Sequence, residues 1–311
     1  MNNKEKNFIS AVIYCHNCEK SVGNFLSMII DVMESNFNDS EIICVNDHSA
    51  DSTVGEIKEA SKTAKHTTVS VLNMSYFHGI ESAMNAGVDL SIGDFVFEFD
   101  STVADFDRSE IMNVYRKSLE GFDIVSASPN RKPTFSSTLF YKVFNKFSDL
   151  PGNLSTERFR ILSRRVINRV NSLSRTVPYR KAVYANCGLK TINIQYSCIS
   201  KSNAKNRNNG RYRRKLATDA LLLFTDVGYA FSVTMTVIMM IVSASMAVYS
   251  VLIYFMSIPA EGWTTTVLFL SFAFFGLFGI LSIVIKYLDI IVNLVFKRKS
   301  YNFESIEKLT K

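Results

Sequence analysis

Asp94 to Asp105, DFVFEFDSTVAD, is the stretch whose reading decides the fold. A run of β-formers from Phe95 to Phe99 stops on a carboxylate, Asp100, and small polar residues follow. A short apolar run bounded this way reads as a buried parallel strand that delivers one acid to its C-terminal end. Open α/β sheets place their ligands along that edge.

Working outward, the same grammar repeats upstream. Phe8–Cys15, Glu41–Val45 and Thr68–Asn73 read as strands, while Glu19–Met33, Ser52–Thr63 and Ile80–Leu90 have helical apolar spacing. Downstream, Asp107–Leu119 reads as a helix and Phe122–Ser128 as a strand. Strands alternating with helices predict a mostly parallel α/β sheet, Rossmann-like, with helices on both faces. Right-handed crossovers gather the strand C-termini on one edge, so Asp47 and Asp100 are expected to face a common cleft. Beyond Ser128 the character changes. Asn130 to Arg180 is rich in Arg, Ser and aromatics, and Tyr141–Phe147 and Ile161–Val170 read as helices.

Charge and hydropathy divide the rest. The chain of 311 residues has 35 Lys and Arg against 28 Asp and Glu, a net charge of +7. The cations concentrate between Arg131 and Lys215 and again at Lys297–Lys299, flanking long apolar segments, which argues for membrane headgroups or phosphorylated substrates and against nucleic acid. Val233–Phe255 is uncharged and Thr266–Ile285 repeats the pattern, each long enough as a helix for a hydrocarbon core of about 30 Å. Leu216–Phe231 reads as an interfacial helix. The loop Ser257–Trp263 carries only Glu261, whereas Arg207–Lys215 and Lys297–Lys299 lie outside the two spans, so both termini are expected on the cytoplasmic side of an inner bacterial membrane. The expected organisation is a domain over 1–200, a basic juxtamembrane segment over 201–232, a helical hairpin over 233–296 and a basic tail over 297–311. Five cysteines and a polar N-terminus suit reduced thiols. Cys15-x-x-Cys18 lacks a second close pair for a structural zinc.

Taken in order, VIYCHNCEK (12–20), VNDHSADST (45–53), AMNAGVDLSIGDFVFEFDSTVADF (83–106), SSTLFYKVFNKFSDLPG (136–152), FRILSRRVI (159–167) and TDVGYAFS (225–232) resemble the family 2 glycosyltransferases that charge polyprenyl phosphates. These are the dolichol-phosphate-mannose-synthase-like and bactoprenol-glucosyltransferase-like proteins. The resemblance implies a GT-A-like fold, a UDP- or GDP-sugar donor, a divalent cation such as Mg2+ or Mn2+, and inverting transfer of one sugar to a polyprenyl phosphate for cell-envelope glycans. It also implies contact with membrane lipid and assembly through the spans. On it, Asn17, Glu19, Asp47 and Asp100 bind nucleotide. Asp100 and Thr102 hold the metal, Arg131, Ser137 and Arg160 bind the lipid phosphate, and Asp100, Arg131 and Arg160 are the catalytic candidates.

The departures from the family pattern are chemical. Tyr14 replaces a Pro, Asn46 the first acid of the nucleoside motif, His48 its Gly, Thr102 the second metal acid, Ala104 a Gln, and Arg158 an acid beside Arg160. The acceptor phosphate is already anionic, so no strong general base is needed. What needs stabilising is the departing diphosphate, by metal or cationic side chains. The competing expectation is a catalytically degenerate member acting as a membrane binding or assembly partner.

Overall fold

The computed structural model describes residues 4–131, 134–148, 154–173, 179–199, 210–256, 262–296 and 301–310. In chain order the elements are β1 (Ile9–Cys15), α1 (Glu19–Asn36), β2 (Ser40–Asn46), α2 (Thr53–Ser61), β3 (Thr68–Met74), α3 (Ile80–Leu90), β4 (Phe95–Phe99), α4 (Ser109–Leu119) and β5 (Ile124–Pro129). There follow α5 (Phe135–Phe147), β6 (Phe159–Ser163), α6 (Arg164–Leu173), α7 (Arg180–Ala185), β7 (Thr191–Tyr196), α8 (Gly210–Phe224), α9 (Val227–Met256), α10 (Trp263–Phe296) and β8 (Phe303–Lys308). Two compact units emerge: one over 1–145, 150–216 and 298–311, the other over 146–149 and 217–297.

The first unit is built on an eight-stranded sheet of order β7-β5-β6-β4-β1-β2-β3-β8. Every residue of β1 is buried, because helices cover both faces and neither side of ISAVIYC meets water. The period of two sorts its side chains. Ile9, Ala11, Ile13 and Cys15 enter the core with Phe25 and Leu26 of α1, Ile57 of α2 and Tyr115 of α4. Val12 and Tyr14 enter the opposite core with Ala83 and Met84 of α3, Val166 of α6 and Tyr184 of α7. Gly87 lets α3 lie close against the sheet: a Cβ there would stand 2.4 Å from Val12 Cγ1 and 2.6 Å from Val45 Cγ2. Gly87→Ala is therefore expected to cost about 1–3 kcal/mol by overpacking, despite the better helix propensity of alanine, as measured by urea unfolding.

Two strands depart from the expected parallel order. The segment Ile161–Val170, expected as one helix, is strand through Ser163 and helix after it, because Phe159–Ser163 pairs antiparallel with both β4 and β5. The C-terminal tail is likewise not only a basic tail. Phe303–Lys308 pairs antiparallel with β3 and closes that edge of the sheet. The alternation in FESIEK is weak in apolar content, so its strand character comes from the pairing partner. Thr191–Tyr196, read as no element from sequence, pairs parallel with β5.

The second unit contains α9 of 30 residues and α10 of 34. The segments expected as spans, Val233–Phe255 and Thr266–Ile285, lie within these helices, and the interfacial helix expected over Leu216–Phe231 divides into the end of α8 and the start of α9. Small residues let side chains close in: Gly228 faces the Tyr287 hydroxyl and Gly276 faces Met239. Side chains are described along only part of both helices, and over the described residues no helix is long and apolar enough to cross a membrane. Glu261, Lys297–Lys299 and residues 201–209 of the juxtamembrane segment lie outside the described residues.

Candidate active site

The two predicted acids do reach one edge. β2 and β4 flank β1 in parallel, so Asp47 and Asp100, each directly after its strand, stand at the C-terminal ends of strands two apart in the sheet. Their surroundings differ. Asp47 is fully buried and accepts hydrogen bonds from the Tyr14 hydroxyl at 2.9 Å and from the backbone N–H groups of His78 at 2.8 Å and Gly79 at 2.9 Å. It thereby holds the chain between β3 and α3 against the end of β2. Burial, with the Asp47 charge adding to it, raises the Tyr14 phenol far above its ordinary value. His48 adopts φ +53°, the left-handed region that glycine enters freely, at the position where the family pattern has glycine.

Asn17 and Glu19 stitch the loop after β1 to the loop after β2. Asn17 Oδ1 accepts from Ala50 N at 2.8 Å, Glu19 Oε2 accepts from Ser52 N at 3.1 Å, and Glu19 N donates to Asp51 Oδ2 at 3.1 Å. Asn17 itself has φ +48°.

Asp100 is clamped by two arginines. Arg180 Nη2 donates to Oδ1 at 2.6 Å and Arg160 Nη2 to Oδ2 at 3.2 Å. Arg160 comes from β6, whose antiparallel pairing sets it beside Glu98 of β4. Arg180 comes from the first residue of α7. Both arginines are 1% exposed, and they are met by four carboxylates: Glu81, Glu98, Asp100 and Glu157. Arg180 donates from N at 2.9 Å and Nε at 3.0 Å to Glu81 Oε2, and Glu98 accepts from Arg160 Nη1 at 3.1 Å and from the Tyr184 hydroxyl at 2.8 Å. Arg160 Nε and Arg180 Nη1 lie 3.2 and 3.0 Å from Glu157 and Glu98 without hydrogen-bond geometry. The network is held together by charge as much as by aligned hydrogen bonds.

Burial alone would push the Asp100 carboxyl up, but the Arg180 and Arg160 guanidiniums outweigh it and hold the group down at about 2, below its ordinary 3.8. A depressed carboxyl contributes stability above its unfolded value and loses it as pH falls toward the folded one. The wild-type protein is thus expected to lose about 2 kcal/mol between roughly pH 4 and pH 2 through this group. Thermal melts at stepped pH check it: the acid limb should be shallower in Asp100→Asn.

Other expected residues lie apart from this network. Arg131 is exposed just beyond β5, and Ser137, on α5, bonds Thr134 at 3.0 Å. Thr102 is buried with its hydroxyl 2.7 Å from Ser21 Oγ. Arg158 pairs with Asp105, which also accepts from the Tyr196 hydroxyl at 2.9 Å. Arg164 and Arg165 are tied to the Gly93 carbonyl and to Asp123. The acids and base that sequence reading missed are Glu81, Glu157 and Arg180. Glu81 carried a signal, as a charged residue on the apolar face of IESAMNAGV.

The divalent cation implied by the family pattern does not fit this donor set. Asp100 is shared between two guanidiniums, Thr102 offers a neutral hydroxyl already bonded to Ser21, and among the described residues no three His, Cys, Asp or Glu side chains are arranged around a metal position. The five cysteines are free thiols.

Residues 10–158 match Glycosyl transferase family 2. An uncharacterized glycosyltransferase of Synechocystis sp. is 27% identical over 190 residues, covering 58% of this chain, and the chain spans 58% of that relative's length. A prophage bactoprenol glucosyl transferase homolog of Escherichia coli is 25% identical over 223 residues, 70% of this chain and 72% of the relative. Among solved structures, mannosyltransferase PcManGT from Pyrobaculum calidifontis, determined with GDP-Man and Mn2+, superposes with a TM-score of 0.50 at 14% identity over 70% of this chain and 63% of its own, a likeness of fold. Residues 10–158, which carry both strand-end acids, match the family 2 glycosyltransferase model, and the relatives that match beyond them are named as glycosyltransferases.

Proposed function

We propose that this protein transfers one sugar from a nucleoside-diphosphate sugar to a polyprenyl phosphate at a membrane, with inversion at the anomeric carbon. The observation that carries the reading is the placement of Asp47 and Asp100 at the ends of β2 and β4 within a family 2 domain, joined to a chain that continues into two long apolar helices. The relatives named as bactoprenol glucosyl transferases support the acceptor class. An oxygen of the lipid phosphate forms the new bond to the anomeric carbon as the bond to the diphosphate breaks, and the electron pair leaves with the nucleoside diphosphate. The nucleophile is already ionised, so no proton need be removed.

Val233–Phe255 and Thr266–Ile285 are proposed to cross the membrane as a hairpin. The chain supports an even number of crossings: it leaves the sheet unit near residue 216 and re-enters it at 298, where β8 joins β3. A hairpin with both ends on one side fits this proposal, and the basic flanks support the cytoplasmic side for them. Anchoring to the membrane that holds the acceptor raises the acceptor's effective concentration and gives the reaction its proximity.

The test is incubation of the full chain in lipid vesicles with radiolabelled UDP- and GDP-sugars and polyprenyl phosphate. Label in the lipid phase, lost in Asp100→Ala, is the expected result. No lipid-linked label with any donor sinks the proposal. The second reading, a catalytically inactive partner that keeps the fold, is favoured by the closed pairing of Asp100, and the same assay separates the two.

A further inference from the structure

Resting on the nucleotide-sugar reading, we infer that this chain binds its donor diphosphate without a divalent cation, Asp100 serving as the anchor of the Arg160–Arg180 pair rather than as a metal ligand. The network contains more carboxylates than guanidiniums, so net charge alone would admit a cation. Coordination refuses it. Mg2+ demands near-octahedral oxygens at about 2.1 Å, usually with one or two carboxylates among them. Each Asp100 oxygen already faces a guanidinium, at 2.6 and 3.2 Å. A cation drawn to that carboxylate would compete directly with guanidiniums that have no solvent to retreat into.

The neighbouring acids offer no alternative ligand set. Glu98 is fully buried on Arg160 and Tyr184, and Asp105 is buried on Arg158 and Tyr196. Thr102, at the position of the second acid, turns to Ser21.

Two other side chains at this edge suit an anionic diphosphate. Arg131 follows β5, which runs parallel to β4 because each is antiparallel to β6, so it lies beyond the same C-terminal edge as Asp100. Arg158 immediately precedes β6, and the reversed direction of that strand brings its first residue to the same edge. The Arg158 side chain is 33% exposed and Arg131 is exposed, unlike the sealed pair beneath. A planar guanidinium meets phosphate oxygens with two parallel hydrogen bonds, and its charge is fixed at any working pH. Arg158, standing where the family pattern has an acid, makes this edge more cationic at the place where the metal pair is depleted.

The experiment follows nucleoside-diphosphate binding by the full chain in detergent, with UDP and GDP as probes, by thermal shift and calorimetry in EDTA and in millimolar Mn2+. Free Mn2+ is followed in parallel by its electron paramagnetic resonance signal. Affinity in EDTA within about threefold of that in Mn2+, and at least about tenfold weaker in Arg131→Ala/Arg158→Ala, is the expected result. Thr102→Asp should restore an acid but gain no Mn2+, because Asp100 stays with its arginines. Binding that appears only with Mn2+, or stoichiometric Mn2+ uptake by the wild type or by Thr102→Asp, overturns the inference and leaves the donor reading standing. If neither nucleotide binds in either buffer, the donor reading falls and the inference falls with it.

Discussion

Arg180→Met should lower the melting temperature of the protein by roughly 6–20 °C, the equivalent of about 3–5 kcal/mol for a domain of this size. The side chain is 1% exposed and faces Glu81, Glu98 and Asp100. Methionine fills a similar volume, so the loss is chiefly electrostatic: three carboxylates keep their burial and lose a shared counter-charge. Arg165→Met is the matched control. Arg165 also pairs with a buried carboxylate, Asp123, but its own side chain is 66% exposed, and water can take over from it. That variant is expected to leave the melting temperature nearly unchanged. The physical claim is sharpened by Arg180→Met/Glu98→Gln, which removes one stranded charge and should recover part of the loss through a favourable coupling energy. Equal melting temperatures for Arg180→Met and Arg165→Met would show that the network contributes no net stability.

The second large effect is expected at Asp47. Asp47→Ala leaves the Tyr14 hydroxyl and the backbone N–H groups of His78 and Gly79 without their acceptor at a site that water does not reach. Each stranded donor costs on the order of 1–3 kcal/mol, offset where the loop relaxes, for a total of about 3 kcal/mol in urea unfolding. Asp47→Asn should be milder, since an amide oxygen still accepts while its NH2 faces other donors. The same variants separate folding from ligand binding. Asp47 orders the His78–Gly79 turn, so nucleoside-diphosphate binding should weaken in both variants even at temperatures where each is fully folded. A change within about 0.5 kcal/mol for Asp47→Ala would mean that the turn is held by other contacts.

The placement of these two acids was legible because it depends on local pattern. A buried, mostly apolar strand of five to seven residues followed directly by Asp announces both the strand and the position of the acid, and helices of regular apolar spacing between strands impose the crossovers. The same reasoning misplaced Ile161–Ser163. Its apolar spacing suits a helix as well as a strand over so few residues, and only the open edges of β4 and β5 decided between them. Arg160 was legible through the family pattern, but its chemistry was not. Its ion pairs with Glu98 and Asp100 are made by strand pairing, which a string of letters does not display.

What the amino-acid sequence determined by itself was the α/β alternation, the strand-end positions of Asp47 and Asp100, the likeness of residues 10–158 to the family 2 glycosyltransferases and the apolar segments near the C-terminus. The tertiary structure alone decided which charges meet. Glu81 and Arg180 are 99 residues apart in the chain, and Arg180 and Asp100 are 80 apart. Asn73 reaches Glu307 across a separation of 234 residues, through a strand that only its partner makes a strand. Periodicity reports which face of an element avoids water. Ion pairing inside a sealed edge depends on which elements the chain later folds against it, and that information is held in the packing.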